Sequence, residues 1–293
     1  MASPTVVTTP CKVNLHLGVH REKDARGYHR VDSVMVPVGL FDVVSVEDAP
    51  SLEVAFDPPL GIEPQRSGVW RAASMLAEEL GTRPSVRVSV RASIPERAGL
   101  GGSSADAGAT LRALAARWGV DALDERVVSV ARRVGADVAF FLDPTPSLCT
   151  GAGDVRERTF PPIEIPVALV MPRAEGGSTV EAYAEFDRTG ADPAPYDSLC
   201  EALEASDAAR VAAGLHNNLA PAACALCPEA GEVEAWLRAQ DGVTGAQVTG
   251  SGTCSFALCE SVAAAEAVAA RATRERGWRA WSTKTVGLPE EVC

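Results

Sequence analysis

A chain of 293 residues exceeds one average domain and, at roughly 100–200 residues each, fits about two. Its 46% hydrophobic and 23% charged residues are ordinary for a globular protein and argue against a disordered or fibrous class. The net charge of −12 and pI near 4.9 exclude the broad basic face that a nucleic acid backbone or an anionic membrane requires, but a small polyanionic substrate can still be held by local donors.

Lys12 and Asn14 interrupt the first apolar stretch, so the basic-then-apolar pattern of a secretory leader is missing. No later segment reaches the ~18 uninterrupted apolar residues of a membrane span. The expected location is the cytoplasm, where the eight scattered cysteines would be reduced thiols. Cys224 and Cys227 have C-x-x-C spacing, yet no second Cys/His pair accompanies them, and two small buried residues on a helix are expected. Only three of the 27 basic residues are lysines, Lys12, Lys23 and Lys284, which makes a lysine inside an apolar stretch conspicuous.

Residues 5–19 and 31–46 are rich in β-branched residues and predict strands, and residues 67–80 have helical spacing closed by Gly81. The clearest strand follows, with Val86, Val88 and Val90 on one face and Arg87, Ser89 and Arg91 on the other. A glycine-rich stretch then opens a helix whose apolar face is Ala107, Leu111, Leu114, Ala115 and Trp118. A second helix is predicted over 124–134, a buried strand over 138–142, and a change of domain within the Pro- and Gly-rich stretch 144–166. Beyond it the pattern predicts a strand at 167–171, a helical turn at 180–186 and helices at 197–215 and 229–240. Strands at 245–249 and 254–258, a helix at 261–277 and a last strand near 278–286 complete it. Mixed strand and helix layers of this kind indicate an α+β fold.

The segment from Pro95 to Gly108, reading PERAGLGGSSADAG, is the strongest chemical signal. Successive glycines let backbone N–H groups approach a ligand closely, and the positive end of the following helix favours an anion there. Ser103 followed by Asp106 also fits a capping-box-like helix start. No lysine follows the glycines as a Walker A loop demands, and Ser104 stands where a dinucleotide fingerprint has its third glycine.

A strand followed by P-x-x-x-G-L-x-x-S-S-A at the mouth of a helix resembles the phosphate loop of the GHMP kinase superfamily, which includes galactokinase, homoserine kinase and mevalonate kinase. Pro10-Cys-Lys-Val-Asn-Leu15, Gly27-Tyr-His29, Gly135-Ala-Asp-Val138 and Thr249-Gly-Ser-Gly252 extend the likeness over nearly the whole chain. Within the superfamily it is most similar to the 4-diphosphocytidyl-2-C-methyl-D-erythritol kinases of the non-mevalonate isoprenoid pathway. The resemblance implies a two-domain fold, with a ribosomal-protein-S5-like α/β domain over 1–155 carrying the phosphate loop. A ferredoxin-like α/β sandwich would follow over 156–293, with ATP and substrate in the cleft between them.

It further implies ATP with Mg²⁺, transfer to the 2-hydroxyl of the cytidyl substrate, and a monomer or weak homodimer. Pro95, Ala98, Gly99, Leu100, Gly101, Gly102, Ser103, Ser104 and Ala105 would hold the nucleotide. Asp137 would accept the hydroxyl proton, and Lys12 would orient Asp137 and stabilise developing charge. Asn14, Tyr28, His29 and Tyr183 would bind the substrate, the last three around its cytosine, with Gly250, Ser251 and Gly252 approaching from the second domain. Two departures stand out. Ser103 occupies a place where glycine is common, and Asn217-Asn218 stands where Asn-Asp is common, so the role of that Asp is not carried over. Homoserine- or mevalonate-type kinases and a catalytically silent nucleotide-binding protein are the alternatives.

Overall fold

The computed structural model describes residues 3–287. Two strands dominate the N-terminal half, β1 (Thr5–Lys23) and β2 (His29–Asp48), paired antiparallel along most of their length. Every residue of β1 from Thr9 to Val19 is buried, because the strand is covered on both faces and so loses the usual in-out alternation. The register slips at Pro10/Cys11, Asn14/His16 and Val19/Lys23. Such bulges re-aim side chains, and the second leaves Leu15 without a partner beside Asn14.

β3 (Glu53–Asp57), α1 (Gly68–Glu79) and β4 (Val86–Arg91) follow. α1 is capped by the Ser67 hydroxyl accepting from Trp70 N, and β4 buries Val86, Val88 and Val90. α2 (Gly102–Arg117) and α3 (Glu125–Val134) complete a helical layer over the sheet, joined to it by a core that includes Val44, Val88, Leu76, Leu111 and Val127. Residues 138–142 form no strand. Ala136–Leu142 is a 3₁₀ helix whose Phe140 and Phe141 are buried, and a Cβ placed on Gly108 of α2 would lie 2.5 Å from Phe141 Cβ. A short apolar run is compatible with either element, and the packing against α2 decides it.

The hairpin β5 (Ser147–Thr150) and β6 (Val155–Thr159) joins the same sheet through β2 and straddles the 155/156 division expected from the sequence. β7 (Pro166–Met171) starts a second sheet, and α4 (Thr179–Thr189) is a full helix with a Ser178–Glu181 capping box rather than a single turn. The helix predicted over 197–215 is two, α5 (Asp197–Glu204) and α6 (Ala208–Ala213), broken where Ser206 takes φ 52° and Asp207 caps the restart.

β8 (His216–Asn217) returns to the first sheet beside β1, and α7 (Ala220–Leu226), α8 (Pro228–Arg238), β9 (Val243–Val248), β10 (Ser255–Cys259), α9 (Val262–Arg271) and β11 (Arg279–Lys284) finish the chain. The sheets run β3-β4-β2-β1-β8, with β5 and β6 beyond β2, and β11-β7-β10-β9. One hydrophobic cluster joins Cys11, Val13 and Leu15 of β1 to Leu169 and Phe256 of the second sheet. The seven described cysteines are free, and Cys293 lies outside the described residues. Cys224 sits within α7 and Cys227 just past it, with burial pushing the Cys224 thiol up to about 11.

Candidate active site

The glycine loop leaves β4 and is anchored at its start by Asp42, whose Oδ1 accepts from Ser93 N at 2.5 Å and Ile94 N at 2.8 Å. Pro95, Ala98 and Leu100 are buried anchors, while Gly99 and Gly101 adopt φ of +73° and +78°. Lys12 N donates to Leu100 O, and Cys254 N to Ala98 O at 3.1 Å. A Cβ on Gly99 would fall 2.1 Å from Thr249 O, and one on Gly101 3.1 Å from Lys12 Cγ. The loop is therefore clasped between β1 and the segment after β9, at a separation that only glycine permits.

α2 begins with Gly101 at its N-cap and no side-chain cap, so the expected Ser103–Asp106 box does not form. The N–H groups of Gly102, Ser103 and Ser104 thus open the helix toward the loop, with Ala105 N already bonded to Gly101 O. Asp106 instead turns inward and hydrogen-bonds the Asp42 carboxyl. Burial, then the Asp42 charge, pushes Asp106 up to about 8.

Lys12 is 3% exposed, an interior lysine rather than one on a half-exposed strand. Its Nζ donates to Asn14 Oδ1 at 2.7 Å and lies 3.5 Å from Asp137 Oδ2, whose side chain remains 33% exposed. A Cβ on Gly250 would sit 3.4 Å from Lys12 Nζ. Lysine, carboxylate, glycine loop and the 249–252 turn therefore meet at one point. Asn14 is buried, and one amide N–H goes to Ser33 Oγ at 2.8 Å.

Tyr28 and His29 are adjacent and diverge. Tyr28 is 58% exposed with the Arg26 guanidinium 5.3 Å from its ring centroid. His29 is buried, its Nδ1 2.6 Å from His20 O and its Nε2 3.1 Å from Asp187 Oδ1. Tyr183 on α4 lies over His29 at 5.4 Å between ring centroids and 31° between planes. Burial, with a smaller effect of the Asp137 charge, raises the Tyr183 phenol above its ordinary pKa. Ser251 Oγ is 3.0 Å from Thr179 Oγ1 at the start of α4.

Gln247 and Ser33 escaped the sequence reading, and Thr249 and Asn217 stand in it only as members of motif strings with no contact assigned. All four reach this point through strand register, which the local sequence does not encode. Asn217 Nδ2 donates to Val248 O and Gly250 O at 2.9 and 3.0 Å, bracketing Thr249. Asn218 accepts from Val19 N and donates to Val19 O and Ala191 O, two bonds that an Asp carboxylate could not donate.

The GHMP kinases N terminal domain matches residues 67–144 and the GHMP kinases C terminal domain residues 199–277. A 4-diphosphocytidyl-2-C-methyl-D-erythritol kinase of Desulfitobacterium hafniense (strain Y51) is 34% identical over 277 residues, 94% of this chain and 93% of its own. One of Rhodococcus jostii (strain RHA1) is 39% identical over 274 residues, 89% of this chain and 86% of its own. This chain belongs to the 4-diphosphocytidyl-2-C-methyl-D-erythritol kinase family.

A crystal structure of 4-(cytidine 5'-diphospho)-2C-methyl-D-erythritol kinase superposes on this member of the family with a TM-score of 0.78 at 30% identity, covering 96% of this chain and 99% of that one. Homoserine kinase from Cytophaga hutchinsonii follows at a TM-score of 0.73 and 18% identity, with 98% and 96% covered, and shows a shared fold. The two-domain GHMP kinase architecture expected from the sequence is thus the one observed.

Proposed function

We propose that this chain transfers the γ-phosphoryl group of ATP to the 2-hydroxyl of 4-diphosphocytidyl-2-C-methyl-D-erythritol, yielding the 2-phosphate and ADP. The observation that carries this is Lys12 Nζ, 3.5 Å from Asp137 Oδ2 against the glycine loop, in a chain whose relatives bear that kinase's name. In this reading the loop from Pro95 to Ala105 and the first turn of α2 hold the phosphates through backbone N–H groups. Asp137 takes the proton of the hydroxyl as its oxygen bonds to the γ-phosphorus and the bond to the ADP oxygen breaks. Lys12 orients Asp137 and offsets the charge that develops on the phosphoryl oxygens.

Asn14 keeps one amide N–H for a substrate oxygen, and Gly250, Ser251 and Gly252 face the same point from the second sheet. Tyr28 and Tyr183 offer aromatic surface for the cytosine, with the buried His29 packed against Tyr183 to support that surface. Mg²⁺ would enter with the nucleotide and neutralise phosphate charge. A Mg²⁺ that arrives with the nucleotide would be held mainly by phosphate oxygens and water. We place the handover between the two working units after the β5–β6 hairpin, in residues 160–165. Action in the cytoplasm as a monomer or weak homodimer completes the proposal; among the described residues no helix is long and apolar enough to cross a membrane.

The test is ADP release from purified protein with Mg²⁺, ATP and the cytidyl substrate, with homoserine and mevalonate in parallel. ADP formed with the cytidyl substrate alone is expected, and Asp137→Asn should lower kcat by about 10²- to 10⁴-fold. Turnover of homoserine or mevalonate instead would move the substrate, and full activity in Asp137→Asn would remove the base.

A further inference from the structure

A lysine ends a flexible four-carbon stem, so its ammonium holds one position only where an acceptor fixes it. For Lys12 that acceptor is Asn14 Oδ1 at 2.7 Å. Because an ammonium only donates, the amide oxygen must face Lys12, and its NH₂ faces Ser33 Oγ at 2.8 Å. The same amide oxygen lies 3.2 Å from Thr249 Oγ1, and Asn14 N donates to that hydroxyl at 3.1 Å. Thr249 therefore accepts with its lone pair and donates its proton, gripping Asn14 at two points. Thr249 is 0% exposed and Asn14 3%, so bulk water cannot take over either bond.

We propose that Thr249 is a positioning residue for phosphoryl transfer, whose hydroxyl sets the Asn14 amide oxygen and through it the Lys12 ammonium. This rests on the role given to Lys12 above. The hydroxyl arrives from 235 positions away, directly after β9 of the second sheet. Gln247, on the same strand, donates to the carbonyls of Asn14 at 2.8 Å and Leu15 at 3.2 Å, pinning the β1 bulge itself. Asn217 bonds the carbonyls on either side of Thr249. Lys12 is thus aimed only while the two sheets are docked, and the turn that aims it also presses on Gly99 of the phosphate loop.

Thr249→Val preserves shape and removes both bonds, whereas Thr249→Ser keeps the hydroxyl. A misplacement on the order of 1 Å can cost about 10²-fold in rate. With the wild type as reference, Thr249→Val should lower kcat about 10- to 100-fold while KM for ATP stays within about threefold, and Thr249→Ser should recover most of kcat. A folded Thr249→Val with wild-type kcat, or a serine variant no better than valine, overturns the proposal. Should the valine variant fail to fold, Ser33→Ala releases the other end of the amide and must also lower kcat selectively; unchanged kcat there overturns it equally.

An activity-independent reading comes from lysine Cε-labelled NMR, which has three signals to resolve. The Lys12 signal should move in Thr249→Val and return in Thr249→Ser while Lys23 and Lys284 stay. An unmoved Lys12 signal overturns the positioning role even if the wild type proves inactive on the cytidyl substrate, which would be a failure of the substrate assignment alone.

Discussion

Arg97 sits in the glycine loop at φ 52°, a left-handed conformation that a side chain makes costly and that glycine adopts freely. Its carbonyl accepts from Thr253 N at 3.3 Å and the neighbouring Ala98 O accepts from Cys254 N, so the second sheet's turn holds the strained residue in place. Strain retained at such a point is a property of the loop's closure, not of the arginine. Arg97→Gly should therefore stabilise the fold by about 1 kcal/mol, raising the urea midpoint. A midpoint that falls would mean that the side chain contributes more than the backbone costs.

At the scale of elements, the turn joining β1 to β2 is built to present Tyr28. Asp24 accepts from Arg26 N, Arg26 Nε and Tyr28 N, and Gly27 supplies φ +85°. Arg26 then reaches across to Asp154 Oδ2 at 3.0 Å, a carboxylate only 6% exposed in the turn between β5 and β6. The same turn approaches Asp137, since a Cβ on Gly153 would lie 3.8 Å from Asp137 Oδ1. An exposed pair alone is worth little, but here one partner is buried and the cation also backs an exposed ring. Arg26→Met should raise KM for the cytidyl substrate about three- to tenfold, a loss on the order of 1 kcal/mol, and leave kcat and KM for ATP near wild type. A kcat loss with unchanged KM would separate Arg26 from Tyr28.

Legibility in the sequence also follows elements. The glycine loop and α2 were readable because composition and period change together there, and β4 because one face is wet. Lys12 stood out by its residue type and its motif, but its interior position was not legible, since a strand covered on both faces shows no alternation to interrupt. β3, β5 and β6 are only four or five residues long, and two of them are charged, as at Glu53 and Asp57 or Arg156, Glu157 and Arg158. The inward turn of Asp106 and the grip of Thr249 depend on partners 64 and 235 positions away, Asp42 and Asn14, and no local pattern encodes them.

For the molecule as a whole, two buried titratable groups pull stability in opposite directions. Folded Asp106 keeps its proton up to about 8, against an ordinary value of 3.8, so folding takes up a proton between those values and stability falls as pH rises through 8. Burial raises Asp42 in the same direction. His16 is enclosed beside His216 with neither ring nitrogen hydrogen-bonded among the described residues, and burial lowers it from 6.5 to about 4. Its unfolded form binds the extra proton, so stability rises with pH from about 4 to 6.5. The two slopes oppose each other up to 6.5; above it the His16 contribution is complete and the carboxyl pair's decline continues, joined toward pH 9 by the buried thiols whose folded forms hold their protons longer. Urea midpoints of the wild type should therefore decline between about pH 6.5 and 8.5, by at most ~1.4 kcal/mol per pH unit for each proton. Asp106→Asn retains a donor for Asp42 without a proton to lose, so its curve should be flatter and lie above the wild type at pH 8.5. Parallel curves for the two proteins would mean that the buried carboxyl pair does not set the alkaline limit of the fold.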